Sequence, residues 1–84
     1  MSWRVIIDSS AQKELDALDK KTRERVAAAL FRLKNNPFSA SNVKALAGGG
    51  YRLRVGNYRI LYTMKNEILL ILVFKIAHRG KVYR

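Results

Sequence analysis

An alternating segment near the middle of the chain constrains the fold more than any other feature. Residues 51–55 read Y-R-L-R-V and residues 58–62 read Y-R-I-L-Y, with only Gly56 and Asn57 between them. Period-two alternation indicates β-strands, and a two-residue loop that begins with glycine is typical of a tight hairpin. The sequence therefore predicts an antiparallel hairpin in which Val55 lies opposite Tyr58.

This register sorts the hairpin side chains onto two faces. Arg54 falls opposite Arg59, and Arg52 falls on the same side, so these three residues form what we call the arginine face. Two like charges directly opposite each other destabilise a ladder, whereas guanidinium groups match phosphate oxygens in a bidentate manner. The pattern favours a phosphate-binding face, and a solvated sheet face is the alternative. The other side carries apolar and aromatic residues that need a core, namely Tyr51, Leu53, Val55, Tyr58, Ile60 and Tyr62.

The first half of the chain predicts a strand followed by two helices. Residues 3–8 are rich in β-branched side chains, and Ser9 then starts an S-x-x-Q capping box for a first helix. Asp19 caps a second helix, which ends before Pro37. Apolar residues recur on one side of each helix, at Ala11, Leu15 and Leu18 and at Val26, Ala29, Leu30 and Leu33.

After the hairpin, the apolar run Ile68–Phe74 predicts a central strand covered on both faces. The three glycines Gly48–Gly50 before the hairpin are interpreted as a flexible link. The predicted order is β-α-α-β-β-β. This is an α+β fold with an N-terminal strand, an antiparallel helix hairpin and a curved antiparallel sheet of three further strands, in one domain over residues 1–84.

Charge and composition limit the possible functions. The chain has 17 Lys and Arg against 6 Asp and Glu, a formal net charge of +11, and residues 43–84 carry nine of the basic residues and one acidic residue. A polyanionic partner is expected to meet this second half. Without cysteine and with a single histidine, the chain lacks the residues for common zinc sites, and no carboxylate pair is evident. No secretory signal or membrane-spanning run is present, so we expect a cytoplasmic protein without a membrane partner.

The C-terminal segment Lys75–Arg84 is basic and partly aromatic. It contains Lys75, His78, Arg79, Lys81, Tyr83 and Arg84. The segment is either a solubilising end or, beside the arginine face, the completion of a nucleotide pocket in which Tyr83 stacks on a base or contacts a ribose hydroxyl.

These motifs together resemble the RelE/ParE superfamily of toxins from type II toxin–antitoxin systems, and RelE-type messenger-RNA endonucleases in particular. The resemblance rests on the block Tyr51–Tyr62, on the ending H-R-x-x-V-Y from His78 to Tyr83, and on the helix pattern S-A-x-K-E-L-x-x-L at residues 10–18. It covers nearly the whole chain and implies a RelE-like fold.

The resemblance also implies an activity. Members of the RelE branch enter the ribosomal A site and cleave messenger RNA by attack of a 2′-hydroxyl on the adjacent phosphate, without a metal or another cofactor. At matching positions, Arg59 and Arg79 would hold the scissile phosphate, and Tyr83 would stack on or orient the nucleotide. Arg52 and Arg54 match two basic strand positions that are often lysine in relatives. Lys75, Lys81 and Arg84 are further candidates for RNA binding, beside Arg52, Arg54 and Arg59.

The resemblance does not determine the proton acceptor. Arginine does not readily accept a proton, so the arginine at a lysine position leaves Tyr83 or His78 as the candidate acid or base. The alternative is acceleration by preorganised positive charge without a strong base. For His78, the alternative is a structural role at a strand end.

The resemblance further implies partners. These are a cognate acidic antitoxin, the ribosome with contacts to 16S rRNA, and messenger RNA. Phe31 and Ala27, off the core side of the second helix, are candidates for an apolar antitoxin seam. Two alternatives remain: a ParE-type toxin that inhibits DNA gyrase by binding, and an inactive RelE-like module that only binds nucleic acid.

Overall fold

The computed structural model describes residues 3–38 and 42–78. Their elements in chain order are β1 (Arg4–Ile7), α1 (Ser9–Asp16), α2 (Lys20–Asn35), β2 (Val43–Ala45), β3 (Tyr51–Val55), β4 (Tyr58–Lys65) and β5 (Leu70–His78). The strands form one sheet in the order β1-β5-β4-β3-β2, in which β1 runs parallel to β5 and the other pairs are antiparallel. The predicted α+β fold is confirmed, with β2 as a strand that the sequence did not predict.

Both helices begin at aspartate caps. The Asp19 carboxylate accepts hydrogen bonds from the backbone N–H and the hydroxyl of Thr22, as its predicted capping role requires, and the Thr22 hydroxyl bond is the main cause of a lowered Asp19 pKa. The cap of α1 is Asp8, whose Oδ1 accepts from the N–H of Ala11 at 2.9 Å. The prediction that Ser9 caps this helix is wrong, because Ser9 already lies in the first turn.

The core lies between the helices and one face of the sheet. The predicted helix stripes are confirmed: Leu18 is partly buried, and the other members, Ala11, Leu15, Val26, Ala29, Leu30 and Leu33, are buried. From the sheet they meet Leu53, Ile60, Tyr62, Ile71, Val73 and Ile76. Tyr62 is fully buried and stacks on Tyr51 with ring centroids 5.6 Å apart. The apolar side of the predicted hairpin therefore faces the core.

The three glycines form a hydrogen-bonded turn between β2 and β3, where the sequence predicted a flexible link. The N–H of Leu46 donates to the carbonyl of Gly50 at 2.9 Å, and the N–H of Gly49 donates to the carbonyl of Leu46 at 3.2 Å. Gly50 has a φ of 88°, and a Cβ placed on it would lie 3.0 Å from the carbonyl oxygen of Tyr62. Both conformation and space therefore disfavour a side chain at Gly50.

Strand β5, which the sequence predicted as the central strand, is second in the sheet, between β1 and β4. It begins two residues later than predicted and continues to His78. Its register with β4 shifts at one point: Tyr62 pairs with Val73, whereas Leu61 pairs with Lys75, so Phe74 is an extra residue without a partner in β4. Such a bulge reverses the faces of all residues that follow it.

Candidate functional site

The β3–β4 hairpin positions the arginine face as the sequence predicts. Val55 lies opposite Tyr58 and Arg54 lies opposite Arg59, so the register is confirmed. The turn uses Gly56 at a φ of 57°, a left-handed conformation that glycine adopts without steric cost. Alternation along the strands then directs Arg52, Arg54 and Arg59 away from the helix-covered face of the sheet.

Two of these arginines are not solvated. Arg52 is 8% exposed and Arg59 is 7% exposed, whereas Arg54 is open to solvent. Taking a guanidinium out of water is costly, and a sheet face that needs only solubility would leave such groups hydrated. The burial of Arg52 and Arg59 therefore favours a functional role for this face over the solvated-face interpretation.

The unpredicted strand β2 adds a fourth cation. Lys44 pairs with Arg52 across the β2–β3 ladder and therefore lies on the same side of the sheet. Lys44, Arg52 and Arg54 line a pocket of about 340 Å³ together with Asn42. Sequence reasoning missed Lys44 because a three-residue strand is too short to show a period.

His78 does not join the arginine face. It pairs with Tyr58 in the β4–β5 ladder and makes an edge-to-face contact with that ring at a centroid distance of 5.3 Å. Tyr58 belongs to the side of the sheet that carries Ile60 and Val55. The bulge at Phe74 is the cause, because an unbroken β5 would have placed His78 on the side of Arg59.

Lys75 lies on the side of the arginine face, because it pairs with Leu61, which itself pairs with Arg52. Its Nζ forms an ion pair with Glu14 Oε2 of α1 at 2.8 Å. The other carboxylate oxygen of Glu14 accepts the backbone N–H of Ile76 at 2.8 Å. The structure thus gives Lys75 a contact with helix α1.

The remaining predicted residues, Arg79, Lys81, Tyr83 and Arg84, lie outside the described residues. Within the part of the chain that the structure describes, no group of three or more His, Asp or Glu side chains could hold a metal ion. Among the same residues, no helix has the length and apolar character that a membrane span requires.

A separate apolar surface lies on the helix side of the molecule. Ala27, Leu30 and Phe31 of α2 line a pocket of about 260 Å³ with residues of β1 and α1. Phe31 is 62% exposed, although it is a large aromatic side chain. Both residues that the sequence offered for an apolar seam, Phe31 and Ala27, therefore border one pocket.

The chain is similar over its length to known toxins. A protein named as a toxin, RelE1, from Methanocaldococcus jannaschii is 27% identical over all of this chain and 98% of its own length. The toxin fold in the archaeal RelE–RelB complex from Pyrococcus horikoshii matches with a TM-score of 0.85 and 28% identity, over 98% of this chain and all of that one. The intact Escherichia coli RelBE complex matches in fold, with a TM-score of 0.79 and 22% identity, over 92% of this chain and 96% of that one.

A family model assigns the chain more directly. The model of the ParE toxin of type II toxin–antitoxin systems (parDE) matches residues 5–83, which is nearly the whole sequence. Together with the RelE-type relatives, this match identifies the broader group and confirms the resemblance inferred from the sequence motifs. The protein belongs to the ParE toxin family, within the RelE/ParE superfamily of type II toxin–antitoxin toxins.

Proposed function

We propose that the protein is a ribosome-dependent endoribonuclease that cleaves messenger RNA in the ribosomal A site and so inhibits translation. The observation that carries this proposal is the arginine face, on which two buried arginines, one exposed arginine and Lys44 lie together. Such a surface fits a phosphodiester group. The action on ribosomes places the protein in the cytoplasm.

The proposed reaction needs no metal or other cofactor. The ribose 2′-hydroxyl loses its proton as its oxygen forms a bond to the adjacent phosphorus. The bond from phosphorus to the 5′-oxygen breaks and the 5′-oxygen takes up a proton, which leaves a 2′,3′-cyclic phosphate and a free 5′-hydroxyl. Negative charge builds up on the phosphate oxygens in the transition state. Guanidinium groups fixed in a water-poor site stabilise that charge strongly, and loss of one such donor typically costs about 10²–10³ in rate.

Proton transfer requires another residue. His78, the single histidine of the chain, lies on the side of Tyr58, and arginine does not readily accept a proton. We therefore assign the proton-transfer role to Tyr83 and a phosphate-binding role to Arg79, by their match to the H-R-x-x-V-Y pattern. Lys75, Lys81 and Arg84 contribute further charge toward RNA.

An acidic antitoxin would neutralise the toxin. The similar archaeal toxin was solved as a complex with RelB, and a net charge of +11 suits an acidic partner. The separate apolar pocket at Phe31 and Ala27 gives such a partner a place to bury hydrophobic side chains.

Inhibition of DNA gyrase by binding is the second candidate. The match to the ParE family model favours it. In that case the buried arginines would not bind a scissile phosphodiester. Neither wild type nor variants at these arginines would cleave messenger RNA.

The test uses purified toxin with ribosomes programmed by a defined messenger RNA, and in parallel with gyrase and supercoiling substrate. We expect cleavage with a cyclic phosphate at the new 3′ end, no effect on gyrase, and loss of cleavage in Arg79→Ala. Gyrase inhibition with intact messenger RNA would refute the nuclease proposal. An Arg79→Ala variant as active as wild type would refute the role assigned to that residue.

A further inference from the structure

A second cationic pocket lies beside the arginine face, at the edge of the sheet. It has a volume of about 410 Å³ and lies between α2 and the end of β3. Its charged lining residues are Arg25, Arg32 and Arg54, and its other lining residues are Ala28, Ala29, Asn42, Val55 and Gly56. We call it the edge pocket. Among the described residues, no carboxylate lines it.

The three arginines come from two distant parts of the sequence. Arg25 and Arg32 are seven residues apart on α2, which places them two turns apart on one side of the helix, and Arg54 comes from β3. All three are exposed, and within residues 3–38 and 42–78 none of their guanidinium groups has an ion pair. Three guanidinium groups that line one pocket with no acid repel one another, and an anion would relieve that repulsion.

Small residues create the space between these arginines. Ala28 and Ala29 lie between Arg25 and Arg32 in the sequence, and Gly56 forms part of the wall. A Cβ added to Gly56 would lie 3.8 Å from Nη2 of Arg25, so the guanidinium is close to the hairpin turn. The edge pocket is therefore a concave site with donors on both sides, which suits a phosphate group.

The edge pocket is continuous with the arginine face. Arg54 and Asn42 line both the edge pocket and the pocket that contains Lys44 and Arg52. This is possible because β2 pairs only with Tyr51–Leu53, so β3 is the sheet edge at Arg54. Asn42 covers that edge by accepting from the N–H of Arg54 and donating to its carbonyl. A cationic surface therefore continues from α2 around the edge of β3 to the arginine face.

We propose that the edge pocket binds a backbone phosphate of the same RNA strand whose scissile phosphate occupies the arginine face. The proposal rests on the proposed action on RNA, and it adds Arg25 and Arg32 as binding residues. Successive phosphates of one strand can occupy both sites, since Arg54 borders each of them. A single free phosphate would use only one site, and continuity between the two favours a strand.

The test measures binding to a fluorescent, fully 2′-O-methylated RNA oligonucleotide by anisotropy across a range of salt concentrations. This RNA lacks the 2′-hydroxyl nucleophile, so binding is measured whether or not the protein is a nuclease. The variant is Arg25→Ala with Arg32→Ala. The matched control is Lys20→Ala with Lys21→Ala, which removes the same charge from α2 outside the edge pocket.

Each phosphate contact with a single strand contributes about 0.7 to the slope of log K against log salt. We expect the arginine variant to lose about 1.4 from this slope, which corresponds to about a 25-fold weaker Kd near 0.1 M salt if the curves converge near 1 M. The lysine control should show a clearly smaller decrease in this slope. An equal decrease of the slope in the two variants, or an unchanged slope in the arginine variant, would overturn the proposal.

A competition experiment separates a strand from free phosphate. Inorganic phosphate and chloride are titrated against the wild-type RNA complex at matched ionic strength. We expect the two salts to release RNA equally. If phosphate is more effective, and the difference disappears in the arginine variant, the edge pocket is a free-phosphate site and the proposal is wrong. Absence of ribosome-dependent cleavage by wild type would refute the proposed nuclease function and would leave the result of this binding test unchanged.

Discussion

Glu14 of α1 closes the edge of β5 at Ile76. Its Oε1 accepts the Ile76 N–H at 2.8 Å, just after the bulge at Phe74 and beyond the point where β1 stops pairing with β5. A strand edge leaves N–H groups without partners, and here a helix carboxylate supplies the acceptor. The same carboxylate binds Lys75 at 2.8 Å, so one side chain fixes two consecutive residues of the strand.

This contact predicts different effects for two substitutions of Glu14. Glu14→Ala removes the acceptor of a partly buried N–H, so we expect the free energy of unfolding to fall by about 1–2 kcal/mol. Glu14→Gln retains an oxygen for Ile76 and should lose less. Lys75→Ala breaks only a partly exposed ion pair and should cost about 0.5 kcal/mol or less. Urea unfolding measures all three, and a Lys75→Ala variant as unstable as Glu14→Ala would contradict this assignment.

Arg54 is predicted to contribute to RNA cleavage and to lower the stability of the fold. It lies directly opposite Arg59, and like charges at such positions destabilise a sheet by a few tenths of a kcal/mol up to about 1 kcal/mol. Arg54→Ala should therefore retain or slightly raise the melting temperature, while the rate of RNA cleavage falls by about 10²-fold. Thermal unfolding and cleavage are measured on the same preparation. If the melting temperature falls together with the activity, the activity loss has a structural cause and the prediction fails.

Tyr62 should make stability depend on pH in the alkaline range. Its hydroxyl is buried and has no hydrogen-bond partner among the described residues, and burial, with a smaller contribution from Tyr51, raises the pKa of Tyr62 to about 12. A pKa above the usual value of about 10 in the unfolded chain means that the neutral phenol is favoured in the fold. Below pH 10 titration of Tyr62 does not change the free energy of unfolding. As the pH rises from 10 toward 12, the free energy of unfolding falls by about 2 kcal/mol.

The Tyr62→Phe variant tests this relation. At neutral pH it should be as stable as wild type, or more stable by about 1 kcal/mol, because a buried hydroxyl without a partner is removed. Between pH 10 and 12 wild type should lose about 2 kcal/mol more than the variant. Tyr58→Phe, which leaves Tyr62 in place, should follow wild type. Parallel pH profiles for wild type and Tyr62→Phe would show that this phenol does not titrate as stated.

Gly50 and Gly48 provide a matched pair. Gly50→Ala requires a positive φ and brings a Cβ to 3.0 Å from the carbonyl of Tyr62, so we expect a loss of about 1–2 kcal/mol. Gly48→Ala has open space and no such φ, and it should be neutral within about 0.5 kcal/mol. Chemical denaturation compares the two variants. Equal stability of the Gly50→Ala and Gly48→Ala variants would mean that the three glycines form a flexible link and not a specific turn.

The sequence predicted the parts of the fold that local chemistry determines. A two-residue turn with Gly56 first fixes the β3–β4 register, so the pairing of Arg54 with Arg59 followed directly. Helical period likewise identified the core side of α2. Asp8 was missed as a cap because Ser9 satisfies the same local pattern one residue later.

Features that depend on distant residues could not be predicted. The bulge at Phe74 lies in an apolar run, where no change of polarity marks the shift in register, and for this reason the side of His78 was not apparent. Strand β2 forms against the edge of β3, and its three residues have little preference of their own. The edge pocket combines Arg25 and Arg32 with Arg54, which only the packing of α2 beside β3 brings together.

Primer extension on messenger RNA tests the central claim most directly. The protein is induced in cells as wild type, as Arg59→Ala and as Lys13→Ala, a control that removes an exposed cation from α1. Wild type and Lys13→Ala should produce discrete cuts within translated codons, and Arg59→Ala should abolish them while the protein remains folded in a parallel thermal unfolding measurement. Arrested growth with intact messages in wild type, or unchanged cuts in a folded Arg59→Ala variant, would contradict the assignment of the arginine face as a ribonuclease site.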